Sequence, residues 1–341
     1  MGVYTASFSI AQLTGPTLGG FLAEQFSWRW VFWFNVPLGL VCFIWGAIVL
    51  RRSTPTGRDN GLDLLGNALV LVSLGGLLLA LSEVTRLGWT HPLILAGLVG
   101  FAVLLPLFIL WELRIRHPVV DLRLFRDLAF ALGTLASLLN SVARIGVVFL
   151  VALFFQAVHG ESAVEAGLKV LPLPIAAMFA SVASGFLQRR LSAAALALVG
   201  TALNTTGLGV LCVVISPTVT TWPITVALVL VGLGTGVFLP SNTTMLLHGV
   251  PSNRVGIVNA MRLMLQNTGI LVGTALTLSI ITAPLPVALH DQVFAGTLSH
   301  VSGTAVTQLI TGYQWALGCM AGVAALATLA CFYRRRANPP V

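Results

Sequence analysis

The chain has 341 residues, of which 57% are hydrophobic and only 8% charged, with a mean hydropathy of +0.96. A soluble domain carries about 25% charged residues, so this deficit excludes a disordered chain, a nucleic-acid binder working through a charged face, and an ordinary water-soluble enzyme. The formal charge of +8 matters less than where the charges fall, and the composition leaves a lipid bilayer as the chain's solvent and first partner.

A hydrocarbon core about 30 Å thick needs roughly 20 apolar residues of helix. In chain order, runs of that kind fall at 3–22, 29–50, 63–82, 92–113, 128–157, 164–187, 193–215, 222–247, 255–282 and 311–333. The first run contains Gln12 and Pro16 and has no basic leader, so it reads as a span and not as a cleavable signal. Unpaired backbone groups cost several kcal/mol each in lipid, and the alternation of a barrel strand is absent, so the spans are helices. The stretch 114–127, RIRHPVVDLRLFRD, mixes charge with a proline and reads as a surface linker with four spans before it and six after. The expectation is an all-α polytopic membrane protein of about ten helices.

The basic residues orient it. With the amino terminus inside, the inner loops hold Arg51, Arg52, Arg58, Arg114, Arg116, Arg123, Arg126, Arg189, Arg190 and Arg254, and the tail adds Arg334, Arg335 and Arg336. The outer loops hold Arg29, Arg86 and Lys169. Thirteen against three puts both termini in the cytoplasm.

Polar groups inside the spans are the candidates for a site. Charge at the bilayer centre costs about 2.5–3.5 kcal/mol on insertion scales, so such a group faces a cavity or a partner. Arg144 lies near the middle of its span, and Ser137, Asn140 and Ser141 precede it by seven, four and three residues, on the same helical face. We read the four as a stripe lining a central cavity. The plainer alternative, a tie to an acidic neighbour, finds no acidic residue of this chain at that depth. Asn259, Arg262 and Gln266 form a second stripe, for which snorkelling of Arg262 to the interface is the alternative. Asn242 follows Pro240 and either lines the cavity or packs the kink. Asn204, Thr205 and Thr206 read as interhelical hydrogen bonds.

Glu83, at the outer end of the third span, is the best carboxylate offered for a proton, and Glu112 reads as an anchor at the inner face. Most of the eight tryptophans crowd span ends, as an aromatic belt does. Cys42, Cys212, Cys319 and Cys331 lie in apolar runs and read as buried thiols. The histidines are too dispersed for a metal, and no phosphate loop, nucleophile triad or dinucleotide fingerprint occurs. Catalysis, ATP hydrolysis and cofactor binding therefore have no residues to stand on.

Several motifs carry a resemblance. Gly15-Pro16-Thr17-Leu18-Gly19-Gly20 combines a helix-breaking proline with small residues that let a neighbouring backbone approach. Ser27 to Gly39, reading SWRWVFWFNVPLG, follows it. His117-Pro118-Val119-Val120-Asp121-Leu122-Arg123-Leu124-Phe125 falls in the linker. Phe154-Phe155-Gln156 through Gly160, Ala166-Gly167-Leu168, Leu171-Pro172, and Gly232-Leu233-Gly234-Thr235-Gly236 with Pro240 come in order after it. Together these resemble the major facilitator superfamily, and within it the fourteen-helix drug:proton antiporters, whose antiporter motif matches Gly15, Pro16, Gly19 and Gly20. Ala11 stands where that motif has a glycine, and Gln188 where an aspartate is common before Arg189-Arg190.

The resemblance implies a major facilitator fold in which the first span here matches the family's fifth, a form lacking the first four helices. Residues 1–113 would then be the end of an N-terminal bundle plus two extra central helices, 114–127 a cytoplasmic linker, and 128–341 a C-terminal six-helix bundle. It further implies a secondary transporter of the inner (plasma) membrane, with a small amphipathic substrate and protons as partners, no nucleic acid and no cofactor. Two other readings stay open: a non-transporting remnant or partner subunit of a split transporter, and an exporter of anionic metabolites or lipids suited to Arg144.

Overall fold

Local capping chemistry sets where the helices begin and end. The computed structural model describes residues 25–49, 63–88, 90–115, 122–216, 219–248, 250, 255–285 and 303–337, together with Leu18, Gly19 and Leu22. Over these the elements are α1 (Trp28–Trp33), α2 (Asn35–Val49), α3 (Leu64–Leu87), α4 (Pro92–Arg114), a 3-10 turn (Leu122–Arg126), α5 (Leu128–His159), α6 (Ala163–Val170), α7 (Pro172–Leu187), α8 (Ala193–Val214), α9 (Thr221–Leu247), α10 (Val255–Thr282) and α11 (Gly303–Ala337). The Asp127 carboxylate accepts from the Ala129 N–H at 2.9 Å and opens α5. At the other end Gly160 closes that helix at φ 68°, a left-handed conformation that costs glycine nothing. Ser162 and Glu165 form a reciprocal capping box that starts α6.

Among the described residues nine segments are long and apolar enough to span a membrane, and they coincide with nine of the ten expected runs. The remaining run, 3–22, lies outside the described residues apart from Leu18, Gly19 and Leu22. The run 164–187 is two helices, α6 and α7, because Pro172 at the first position of α7 has no N–H to continue α6. The last helix is longer than its apolar run, since helical backbone bonding continues through polar side chains.

Contacts between glycines and neighbouring backbones define the packing. Gly76 on α3 faces Gly97 on α4, so these two helices run antiparallel as a hairpin. A Cβ on Gly232 or Gly236 of α9 would run into the carbonyl oxygens of Leu173 and Ala177 on α7. On a different face of α9, a Cβ on Gly234 would stand 2.6 Å from the Asn204 nitrogen and the Gly200 oxygen of α8. The glycine-rich segment thus lets α9 approach two helices at once. Helix α11 packs along both α5 and α8, and α10 along α5. The α3–α4 hairpin joins this group through α10, where Phe108, Phe130, Leu246, Val258 and Met261 form a buried cluster. Helix α2 buries none of its side chains.

Two expectations about burial change. Cys42 and Cys319 are exposed and Cys212 half-buried; Cys331 alone of the four is buried. An apolar run faces lipid as readily as protein, because lipid tails are as apolar as a helix interior. Glu112 is 3% exposed, not an anchor reaching water. It packs by Asp63, whose carboxylate caps Gly66 at 2.9 Å and accepts from the Trp111 indole N–H at 3.1 Å.

Candidate functional site

The stripe on α5 points into the group formed by α5 and α7–α11. Ser137, Asn140, Ser141 and Arg144 are 2%, 1%, 2% and 4% exposed. Arg144 is about 24 Å from either end of its helix at 1.5 Å per residue, and among the described residues no hydrogen bond or ion pair reaches it. Ser141 donates to the Ser137 backbone carbonyl at 2.8 Å, and the Ser137 hydroxyl has no partner among the described residues. The side chain of Asn140 accepts from the Asn204 amide of α8 at 2.6 Å, and the Thr235 hydroxyl of α9 reaches the Asn204 carbonyl oxygen at 3.4 Å. The Asn140 amide nitrogen is left without an acceptor.

Asn242 joins the same face one turn toward the amino-terminal end of α5, the arginine-rich end of the bundle where Arg126, Arg189, Arg190 and Arg334 lie. Its amide donates to the Gly133 carbonyl at 3.2 Å, and its own oxygen is unpaired. Beside Gly133 lies Arg334 of α11, 6% exposed, with one terminal guanidinium nitrogen unpaired. The stripe is therefore rich in unspent donors, with Arg144 and Asn140 at mid-depth and Arg334 nearer one end. A donor-rich, water-poor interior attracts a group that carries acceptors or negative charge.

The second expected stripe is bonded together along α10. Arg262 donates to the Asn259 oxygen at 3.3 and 3.2 Å and to the Gln266 oxygen at 3.1 Å, all along α10. No hydrogen bond among those described joins it to the α5 stripe. Glu83 lies in α3 near the end opposite the arginines, half-buried. Gly15, Pro16 and Gly20 lie outside the described residues, and nothing described stands within 4 Å of a Cβ on Gly19. Of the three α8 residues expected to bond between helices, Asn204 and Thr205 reach other helices, the latter meeting Thr328 at 3.0 Å, while Thr206 bonds its own helix at Ala202.

Sequence reasoning missed Thr235 and Arg334. Thr235 sits among glycines, and nothing local marks the Asn204 oxygen on another helix as its partner. Arg334 looks like a tail residue, yet it falls three positions after buried Cys331 and so continues the inner face of α11.

Residues 1–274 match the Major Facilitator Superfamily profile, and the chain belongs to that family. It is similar to the multidrug resistance protein Stp of Mycobacterium tuberculosis, 33% identical over 293 residues, which cover 86% of this chain and 54% of that protein. It is also similar to a methylenomycin A resistance protein of Bacillus subtilis, 29% identical over 276 residues, 81% of this chain and 59% of that one. The chain thus spans little more than half the length of these relatives. Among solved structures, a bacterial homologue of the human lysosomal transporter Spinster, inward-facing and occupied, overlays at a TM-score of 0.48 with 16% identity, covering 98% of this chain and 85% of that one.

Proposed function

We propose that this membrane transporter exports small amphipathic compounds in exchange for entering protons, with the arginine-rich end of the bundle in the cytoplasm. Two relatives named for multidrug and methylenomycin A resistance support the cargo class. One observation carries the site: Arg144 is a buried guanidinium at mid-depth with no partner among the described residues. A lone charge there is costly, and a bound molecule that brings acceptors relieves the cost. Asn140, Ser137, Ser141 and Asn242 complete the cargo-facing stripe, and Arg262 with Asn259 and Gln266 borders it. Glu83 is the carboxylate proposed for the proton, and the segment from Gly15 to Gly20 governs packing of the moving helices.

The test is export of an amphipathic dye from cells making the protein. Arg144→Ala is expected to abolish export while the amount of protein in the membrane stays constant. Undiminished export by that variant removes Arg144 from the mechanism. The lack of an acidic partner for Arg144 among the described residues also favours a second reading, in which the cargo is itself an anion; competition by organic anions against the dye supports it.

A further inference from the structure

An apolar cavity of about 280 Å³ lies between the α3–α4 hairpin and helices α5 and α10. Leu74, Leu105, Phe108, Leu138, Met261 and Met264 form its walls, and Phe125 of the 3-10 turn closes one side. Its one polar lining group, the Thr268 hydroxyl, is spent on the Met264 carbonyl at 2.9 Å. A drug with polar groups would find nothing there to bond. The cavity stands apart from the α5 stripe and takes a different kind of ligand.

Depth narrows the choice. On α10 the lining residues lie 6 to 13 positions after Val255, about 9–20 Å from the arginine-rich end. That is the depth of acyl chains, below the headgroups of the nearer leaflet. The volume is about twice that of an apolar cavity known to admit benzene, so it matches a chain segment of roughly ten carbons. A void of this size facing lipid forfeits dispersion contacts along its whole wall unless a chain fills it.

Among the described residues, the exposed basic groups beside the cavity are two arginines, while the nearby carboxylates of Glu112 and Asp63 are buried. Arg114 ends α4, which lines the cavity, and Arg126 follows Phe125; both are exposed, and no hydrogen bond or ion pair among those described engages them. The neighbouring Asp127 carboxylate is occupied in capping α5. Basic residues over a pocket between spanning helices recognise anionic lipid headgroups. We propose that this cavity holds one acyl chain of an anionic phospholipid, whose phosphate lies against Arg114 and Arg126. The lipid would fill the seam between the hairpin and the rest of the bundle.

Photo-methionine, nearly the size of methionine, tests this in the full chain reconstituted into vesicles. Irradiation in phosphatidylglycerol vesicles is expected to attach phospholipid to Met261 and Met264, at least threefold more than in phosphatidylcholine, and none to core-buried Met320. Leu105→Trp, which fills the cavity, is expected to remove the Met261 and Met264 adducts while half-buried Met178 keeps its background labelling. The proposal is overturned by absence of adducts at 261 and 264, by equal yields in the two lipids, or by adducts that survive Leu105→Trp. Crosslinks from these positions to another segment of the chain, or to a second copy, overturn it as well. The wild-type measurement decides even where the tryptophan variant fails to fold.

Discussion

Arg144 combines five donors and a full charge with a place in the middle of a spanning helix, and that combination gives its variants opposite expected effects on stability and on transport. It makes no bond among the described residues, so replacing it with an apolar side chain of similar length removes an unpaired charge and breaks nothing. Arg144→Met is therefore expected to leave the thermal midpoint of the detergent-purified protein unchanged or raised; a clear fall would show a structural partner. Asn204 is the contrasting case. Asn204→Leu strands the Asn140 side-chain oxygen, beside an amide nitrogen that already lacks an acceptor, and should cost about 1 kcal/mol or more of stability, whereas the double variant with Asn140→Leu recovers part of that loss. The stripe on α5 was legible in the sequence because a charge in a greasy run is conspicuous and helical spacing assigns its neighbours to one face. Its pairing with Asn204, 64 residues away, was not, since nothing local encodes which helix stands opposite. Glu112 shows the same limit: its burial depends on Asp63 and Trp111 meeting across a hairpin.

Elements carry their own test through the glycines. Gly236 stands against the backbone of α7, and backbone cannot swing aside as a side chain does. Gly236→Ala should force α7 and α9 apart and lower stability by about 1–3 kcal/mol, as overpacking does. Gly75 on α3 has nothing within 4 Å of a Cβ, so Gly75→Ala should leave stability the same or raise it by up to about 1 kcal/mol through helix propensity. Thermal unfolding followed by a thiol-reactive dye measures both. Span positions were readable because bilayer thickness fixes a minimum apolar length. The break between α6 and α7 was not legible because Pro172 opens a helix as well as it ends one, and composition does not choose between these. Cysteine burial failed for a related reason: hydrophobicity does not distinguish a face toward protein from a face toward lipid.

Across the whole molecule, antiparallel packing brings Arg114, Arg126, Arg189, Arg190 and Arg334 to one end and the Lys169–Glu161 ion pair to the other. If the first end faces the cytoplasm, a cysteine in place of Ser162 should react with an impermeant thiol reagent in intact cells, and one in place of Gln188 only after permeabilisation, both in a background without the native cysteines. The reverse pattern would invert the orientation and with it the direction of export.

Binding of an amphipathic fluorescent compound to the purified protein tests the assignment of Arg144 to the cargo site most directly. The wild type should bind saturably. Arg144→Ala should weaken binding about tenfold or more, the worth of one charged hydrogen bond, with its thermal midpoint retained. Leu135→Ala, on the lipid-facing side of the same helix, should bind as the wild type does. Equal affinity in Arg144→Ala and the wild type would contradict the account.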